Sequence, residues 1–160
     1  LNLAAVNQEN GFKSLVGHLE KQQTLLASTP TIRPIDPDTE HFVSSRFEYR
    51  SSPFTGIREF HRAIDISARE GTPVLATAAG VVAFAGNKGL LGKTVIIDHG
   101  HGLTTTYGHC SKLLKLQGER VSRWETVALV GNTGSSTGPH VHYEVAIHGV
   151  PVNPEKYFLN

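Results

Sequence analysis

The segment from His140 to Ile147 most limits how this chain can fold, because its residues alternate between polar and apolar. Successive side chains of a β-strand point to opposite faces, so residues two apart share a face, which they do not on a helix. One face of such a strand carries His140, His142 and Glu144, and the other carries Val141, Tyr143, Val145 and Ile147. The pattern therefore predicts a strand whose apolar face packs in a core while its polar face presents two imidazoles.

Length and composition limit the other possibilities. The chain has 160 residues, which suits one domain with a short appendage. Its net charge of +1 gives no electrostatic reason to bind nucleic acid, and its apolar runs are too short to cross a bilayer. A single cysteine, Cys110, permits no internal disulfide. Because the chain begins at Leu1 and has no methionine, we expect any targeting or membrane-anchoring segment to lie outside it.

The chain divides into three predicted parts. Residues 1–29 contain no proline and carry apolar side chains at roughly helical spacing, which predicts an N-terminal helix. This helix is either a packed appendage or the tail of a coiled coil with a partner, and both possibilities stay open. Residues 30–40 hold three prolines among polar residues, which predicts an extended linker. Residues 41–160 form the predicted main domain.

The main domain is predicted to be mainly β. Glycines separate several short segments that are rich in β-branched, aromatic or alanine residues. The predicted strand segments are 74–85 (interrupted at Gly80), 93–99, 103–109, 126–130 and 140–147. Short strands at this spacing favour an antiparallel all-β domain, and no segment after residue 41 has convincing helical periodicity.

A second pair of residues with metal-binding chemistry stands at His61 and Asp65. Their separation of four places both on one face of a helix, and the even offset also places both on one face of a strand. With His142 they make a set of two imidazoles and a carboxylate, which catalytic zinc takes while leaving a fourth position for water. A His-x-x-x-Asp pair alone is commonly a coincidence, so other residues must support this hypothesis.

Tyr107 and His109 lie at the end of a predicted strand, where functional groups are often exposed. Being two apart, they are expected to share a strand face. His99 and His101 form another His-x-His, but glycines place it in a loop and no acid or cysteine nearby completes a ligand set. For His99 and His101 we expect solvent exposure or a contact behind the site rather than a second metal centre.

Together these features resemble one family closely, the lysostaphin-type zinc metallopeptidases, also called LytM-like murein DD-endopeptidases. The resemblance covers about residues 42–158. The matching segments in order are VSSRF (43–47) with Arg50, His61 to Asp65, GTPV (71–74), AGVV (79–82), VIIDHG (95–100), YGH (107–109), VGNTG (130–134), STGPHVHYE (136–144) and NP (153–154). The fold implied is an antiparallel sheet, or distorted sandwich, with the N-terminal helix added.

The resemblance implies a role for each matched site residue. His61, Asp65 and His142 would bind Zn²⁺, with water completing a tetrahedral site. His109 and His140 would be the catalytic histidines. One of them would accept the proton of the water, and their N–H groups would stabilise the oxyanion and the leaving amine. The sequence does not assign these two tasks, although Tyr107 would add a hydroxyl donor unless it packs in the core.

The implied activity is zinc-dependent hydrolysis of peptide cross-links in bacterial peptidoglycan. Peptide stems would be the partner, with the D-alanyl–diaminopimelate bond as the first choice and pentaglycine bridges as the second. Such a substrate implies a periplasmic or extracellular location. A second class of function is a latent or non-enzymatic activator of other wall hydrolases, with the N-terminal helix and linker covering the cleft. The complete set of three ligands and two histidines favours the enzyme.

Four positions depart from the usual family pattern. Glu48 follows Phe47 where glycine is common, which affects only the expected local turn. Ala63 replaces a glycine between two ligands, a small change that should not move them. Trp124 stands where a turn glycine is frequent, so that turn is expected to differ. Cys110 follows His109 in place of an aliphatic residue. As its strand neighbour it should face away from the site and pack as a small residue.

Overall fold

The computed structural model describes residues 2–160, and its first element is a long helix. Helix α1 spans Leu3–Ala27, and the Asn2 side chain accepts a hydrogen bond from the backbone amide of Ala4 at 3.1 Å, as an N-cap residue does. None of the α1 residues is buried. Within the described residues, no helix combines the length and apolarity needed to cross a membrane. The coiled-coil partner and the division into helix, linker and domain stay predictions.

The proline-rich segment 30–40 packs along the main domain rather than standing free in water. Ile35 is fully buried in the core. The carbonyl of Pro34 accepts a hydrogen bond from the amide of Leu75 at 2.8 Å, and that of Thr31 accepts one from Leu159 at 2.8 Å. The segment is not continuously extended, because it bends at Ile32, Pro34 and Ile35 and turns at Pro37–Asp38, where the amide of Thr39 donates to the carbonyl of Asp36 at 2.9 Å.

Thirteen short strands and two 3₁₀ turns follow within the described residues, and all paired strands are antiparallel. The strands are β1 His41–Ser45, β2 Tyr49–Ser51, β3 Arg58–Phe60, β4 Ile64–Ala68, β5 Pro73–Leu75, β6 Gly80–Asn87, β7 Lys93–Asp98, β8 Leu103–Cys110, β9 Lys112–Leu113, β10 Arg120–Val121, β11 Thr126–Leu129, β12 His140–Ile147 and β13 Val150–Val152. The 3₁₀ turns are Gly89–Leu91 and Pro154–Lys156.

Eight strands form the principal sheet, in the order β1-β4-β12-β8-β7-β6-β10 with β13 beside β12. A smaller sheet has the order β5-β11-β9, and β2 pairs with β3 in a hairpin. The prediction of a mainly β, antiparallel fold with an N-terminal helix is confirmed. The predicted segment 74–85, interrupted at Gly80, is divided between two sheets. The amides of Ala76, Thr77 and Ala79 find partners outside any strand ladder, and β6 begins at Gly80.

The alternation in β12 decides which face of the principal sheet meets the core. Val141, Tyr143 and Val145 are fully buried, whereas the polar residues between them are only half-buried. The buried face packs in one cluster with Ile64 and Ile66 of the neighbouring β4. The prediction of a strand with one packed face and one face carrying imidazoles is confirmed.

A hydrogen-bonded network crosses this core, and two of the residues singled out in the sequence belong to it. The hydroxyl of Tyr107 accepts the amide hydrogen of Thr77 at 3.0 Å and lies 3.1 Å from the hydroxyl of Thr105. Thr77 also bonds Tyr143 at 2.8 Å, and Nε2 of His99 lies 2.7 Å from Oγ1 of Thr105. The Tyr107 hydroxyl is therefore held inside the core. Of the two expectations for His99, solvent exposure is wrong, because its buried ring contacts the carbonyl of Ala79 and the hydroxyl of Thr105.

A β-bulge separates His109 from Tyr107. Lys93 of β7 pairs with Cys110, but Val95 pairs with Tyr107, so β8 has one extra residue over this interval. His109 accordingly takes a left-handed backbone conformation with φ 59°. The extra residue turns His109 out of the core, so the prediction that it shares a face with Tyr107 is wrong. Cys110 faces the core as predicted.

The single thiol should be chemically silent in the folded protein. Cys110 has no exposed surface, and burial raises its pKa to about 12, so the reactive thiolate is scarce at neutral pH. We expect a disulfide-exchange reagent at pH 8 to leave the native protein unlabelled and to react with one thiol per chain after unfolding in guanidinium. Rapid stoichiometric labelling of the native protein would contradict this burial.

Arg123 ties the end of α1 to the main domain. Its Nη2 donates to the carbonyls of Leu26 at 2.5 Å and Thr29 at 2.9 Å, and its Nε donates to Thr77 at 3.3 Å. The last carbonyls of a helix lack partners within the helix, and a cation is favourable there. Arg123 is therefore one attachment point of a helix that buries none of its own residues.

Replacing Arg123 should loosen this attachment without unfolding the domain. The amide of Ala79 donates to the carbonyl of Ala27 at 2.9 Å, so its hydrogen exchange reports on the attachment. In Arg123→Ala we expect this amide to exchange about fivefold faster, since a net hydrogen bond is worth about 1 kcal/mol. NMR exchange measurements on Arg120→Ala provide the control, because Arg120 is exposed and forms no side-chain hydrogen bond within residues 2–160. Equal exchange in both variants would count against the attachment.

Candidate metal centre and active site

Strand pairing brings three metal-binding side chains together at one end of the principal sheet. Asp65 in β4 lies directly opposite His142 in β12, and His61 precedes β4 on the same side. Each of the three residues offers a ligand atom, and these atoms all lie within 4.8 Å of one another. Within residues 2–160 this is the only such group of three, and His99 and His101 form none.

The hydrogen bonds of His61 leave one of its nitrogens free for a metal. Nδ1 lies 2.9 Å from the carbonyl oxygen of Arg46, which can only accept, so the proton of a neutral ring sits on Nδ1. Nε2 then carries a lone pair, and it is buried without a hydrogen-bond partner. It faces Oδ2 of Asp65 at 3.3 Å. Two acceptors facing each other in a buried place fit a cation held between them.

Asp65 carries the charge that such a cation needs. Burial opposes its ionisation, but its contacts with His142 and His61 outweigh burial and hold its pKa well below the usual range. Its Oδ1 lies 2.9 Å from Nδ1 of His142, and its Oδ2 accepts a hydrogen bond from Nη1 of Arg50 at 3.3 Å. The carboxylate is thus ionised and oriented from two sides.

His142 lies between two carboxylates. Burial lowers its pKa, but hydrogen bonds to Asp65 through Nδ1 and to Glu144 through Nε2 outweigh burial and raise the pKa to about 9. Without a metal, the ring therefore holds both protons at neutral pH. A metal ion that takes Nδ1 replaces one of these protons.

His109 and His140 stand beside this cluster as a second pair. Their ring centroids are 4.7 Å apart, and the ring of His109 lies 5.8 Å from that of His142. Nδ1 of His109 lies 2.7 Å from the carbonyl oxygen of Thr133, and Nδ1 of His140 lies 2.8 Å from that of Gly138. Each Nδ1–H is therefore donated to a backbone carbonyl, which leaves Nε2 for chemistry.

The five residues lie in and beneath an open groove of about 1650 Å³. Asp65 and three of the histidines line it, while His61 is buried below. One wall comes from β1 and the segment that carries the β2–β3 hairpin, and the other from residues 135–140 with Leu90 and Leu91. The lining residues begin at Thr39, so α1 does not cover the groove.

Two neighbours of the cluster received no role in the sequence analysis. Arg50 contacts Asp65 and also donates to Oγ of Ser45 at 2.7 Å. Glu144 contacts His142. The strand alternation already placed Glu144 on the imidazole face, so the signal for it was present. Arg50 stood in a matching segment, but nothing local showed which side chain it meets.

One divalent metal ion per chain is expected to bind here. With Co²⁺ as the probe, chelator-treated protein should show one binding event with the visible absorption of a low-symmetry site. His61→Ala should weaken binding by more than about 100-fold, since losing a residue behind a ligand already costs about 10- to 100-fold. His18→Ala, an exposed position on α1, is the matched control. Undiminished Co²⁺ binding by His61→Ala would refute this ligand set.

Fold and site together define a metallopeptidase domain of the lysostaphin type. The model of Peptidase family M23 matches residues 59–154, and the chain belongs to this family. The resemblance seen in the sequence is thereby confirmed.

Relatives support the same assignment. The chain is 46% identical over 120 residues to DD-carboxypeptidase/endopeptidase Mpg of Neisseria meningitidis serogroup B, covering 75% of this chain and 28% of that protein. It is 41% identical over 120 residues to peptidoglycan DD-endopeptidase ShyA of Vibrio cholerae, covering 74% of this chain and 28% of that protein. The chain thus spans little more than a quarter of either relative.

Solved structures agree with the fold. A zinc-containing peptidase from Vibrio cholerae matches with a TM-score of 0.72 and 32% identity, over 79% of this chain and 39% of that one. The catalytic domain of a variant of the M23 protein EnpA from Enterococcus faecalis matches with a TM-score of 0.67 and 32% identity, over 79% and 97% of the two chains.

Proposed function

We propose that this domain is a zinc-dependent endopeptidase that hydrolyses peptide cross-links of bacterial peptidoglycan. The observation that carries the proposal is the convergence of His61, Asp65 and His142 with His109 and His140 along one groove. A peptide bond needs an activated water, a place for the oxyanion and a proton for the leaving amine. This cluster offers residues for each need.

The donor set favours zinc. Two imidazole nitrogens and one carboxylate oxygen are a usual set for catalytic Zn²⁺, and a similar peptidase of known structure contains zinc. His61 offers Nε2, Asp65 a carboxylate oxygen and His142 Nδ1. When bound, zinc lowers the pKa of its water toward neutrality and polarises a carbonyl.

The two remaining histidines would move the protons. Their Nδ1–H groups are held by the carbonyls of Thr133 and Gly138, which fixes both rings. An unprotonated Nε2 can accept the proton of the attacking water, and a protonated ring can donate to the oxyanion or the leaving amine. The pair thus supplies one acceptor and one donor. Burial lowers the pKa of His109, which keeps its ring neutral near pH 7.

The substrate proposal rests on the relatives. Two of them are named for action on DD bonds, and we propose that this chain cuts the D-alanyl–diaminopimelate cross-link. Such work would take place in the periplasm or outside the cell, with peptide stems as the partner. A coiled-coil partner for residues 1–29, and membrane anchoring through residues outside this chain, belong to the same proposal. No observation favours the activator alternative, because all five site residues are present.

The proposal predicts chelator-sensitive cleavage of isolated sacculi. Wild-type protein should release muropeptides with opened cross-links, and mass spectrometry of the products should identify the bond. His109→Ala and His140→Ala should retain zinc but lose about 100- to 10,000-fold in rate, the range expected for a lost general acid or base. His142→Ala should lose both zinc and activity, and His18→Ala should behave as wild type.

Four outcomes would contradict the proposal in three different ways. Release that survives chelation, or full activity of His142→Ala, would refute the zinc mechanism. Products opened at another bond would refute the proposed substrate. A wild-type protein that binds zinc but releases nothing would favour the latent or activator function.

A further inference from the structure

Glu144 is the polar residue of β12 to which the proposed reaction gives no role. Its Oε1 lies 2.8 Å from Nε2 of His142, two residues earlier on the same strand face. Within residues 2–160 its carboxylate has no other hydrogen bond or ion pair, so its single contact is with this ring. The opposite edge of the ring faces Asp65, with Nδ1 at 2.9 Å from Oδ1.

This arrangement sets His142 apart from the other three histidines of the site. His61, His109 and His140 each direct Nδ1 to a backbone carbonyl oxygen and leave Nε2 for the site. In His142 the order is reversed, because Nδ1 faces the site and Nε2 faces away from it. A neutral imidazole has one N–H and one lone pair, so a ring that binds metal through Nδ1 must carry its proton on Nε2.

We propose that Glu144 is a positioning residue that accepts the Nε2–H of His142 and thereby presents Nδ1 as the metal ligand. No backbone carbonyl bonds Nε2 of His142 among the described residues, so the side chain of Glu144 takes the part that carbonyls take for the other rings. A carboxylate behind a ligating imidazole fixes the tautomer and the ring orientation, and it makes the free nitrogen more basic. This inference rests on the metal assignment proposed above.

Position 144 is well placed for a side chain that must reach the ring of His142. Residues two apart on a strand lie on one face, so a side chain at 144 reaches the ring at 142 without any bend in the backbone. Glu144 is about one third exposed, and an ordinary ion pair at such a place contributes little to stability. Glu144 should therefore affect metal binding far more than folding, which distinguishes positioning from a structural role.

The test compares two substitutions of similar size. Glu144→Gln keeps an oxygen that can accept the Nε2–H but removes the charge, whereas Glu144→Leu removes the acceptor. Glu70→Leu is the matched control, because Glu70 is exposed and its side chain has no hydrogen bond within the described residues. Zinc affinity is measured by competition with a chromophoric chelator after metal removal. The proton on Nε2 is followed by ¹H–¹⁵N NMR of zinc-loaded protein with labelled histidine.

We expect Glu144→Leu to bind Zn²⁺ about 10- to 100-fold more weakly than wild type, as is usual when a partner behind a ligand is lost. Its Nε2–H resonance should disappear through exchange with water. Glu144→Gln should keep this resonance and bind Zn²⁺ more tightly than the Leu variant. Glu70→Leu should match wild type in both measurements, and the melting temperatures of the metal-free proteins should agree.

Several results would overturn the inference. One is wild-type zinc affinity in Glu144→Leu. Another is a Gln variant that loses as much affinity as the Leu variant while keeping its Nε2–H resonance. If Glu144→Leu does not fold, Glu144→Ala replaces it with the same expectations. A wild-type protein that fails to bind Zn²⁺ would instead refute the proposed function, so the two failures are distinguishable.

Discussion

The pairing of β4 with β12 is the interaction on which the site depends. It places Asp65 opposite His142, although the two are 77 residues apart in the chain. A slip of one residue would move every side chain of a strand to the opposite face. The slip is prevented by packing, because Val141 and Tyr143 on β12 are fully buried. The apolar face of this strand therefore fixes the geometry of its polar face.

The bulge in β8 lets Tyr107 and His109 point to different sides of the sheet. A regular strand would place Tyr107 and His109 on one face, yet the tyrosine belongs to the core network and the histidine to the groove. The extra residue lets β8 serve both sides of the sheet. The left-handed backbone at His109 is unusual for a residue with a side chain, and it occurs beside the site where such features are often found. The bulge thus accounts both for the unusual backbone of His109 and for the position of its ring in the groove.

Sequence patterns predicted the parts of this structure that depend on local periodicity or on matching segments. The alternation in β12 is confirmed, and the structure brings together the five residues that the family resemblance implied for the site. The patterns failed where distant partners decide. His99 looked like a loop residue but bonds a buried threonine. Its ring also lies 2.7 Å from the carbonyl oxygen of Ala79, 20 residues away, which local pattern does not show. Trp124 has φ 74°, a conformation that favours glycine, and the expected difference of its turn stays a prediction.

The ionisation states of the site residues also depend on residues that are distant in the sequence, so motifs alone do not predict them. Asp65 has an arginine on one side and imidazoles on the other, and only the fold brings them together. A buried nitrogen without a partner costs about 1–3 kcal/mol, and Nε2 of His61 is in that position. A cation at this point would satisfy His61 and neutralise Asp65 at once. Metal binding would satisfy the nitrogen and balance the carboxylate in one step, so folding and metal binding should reinforce each other.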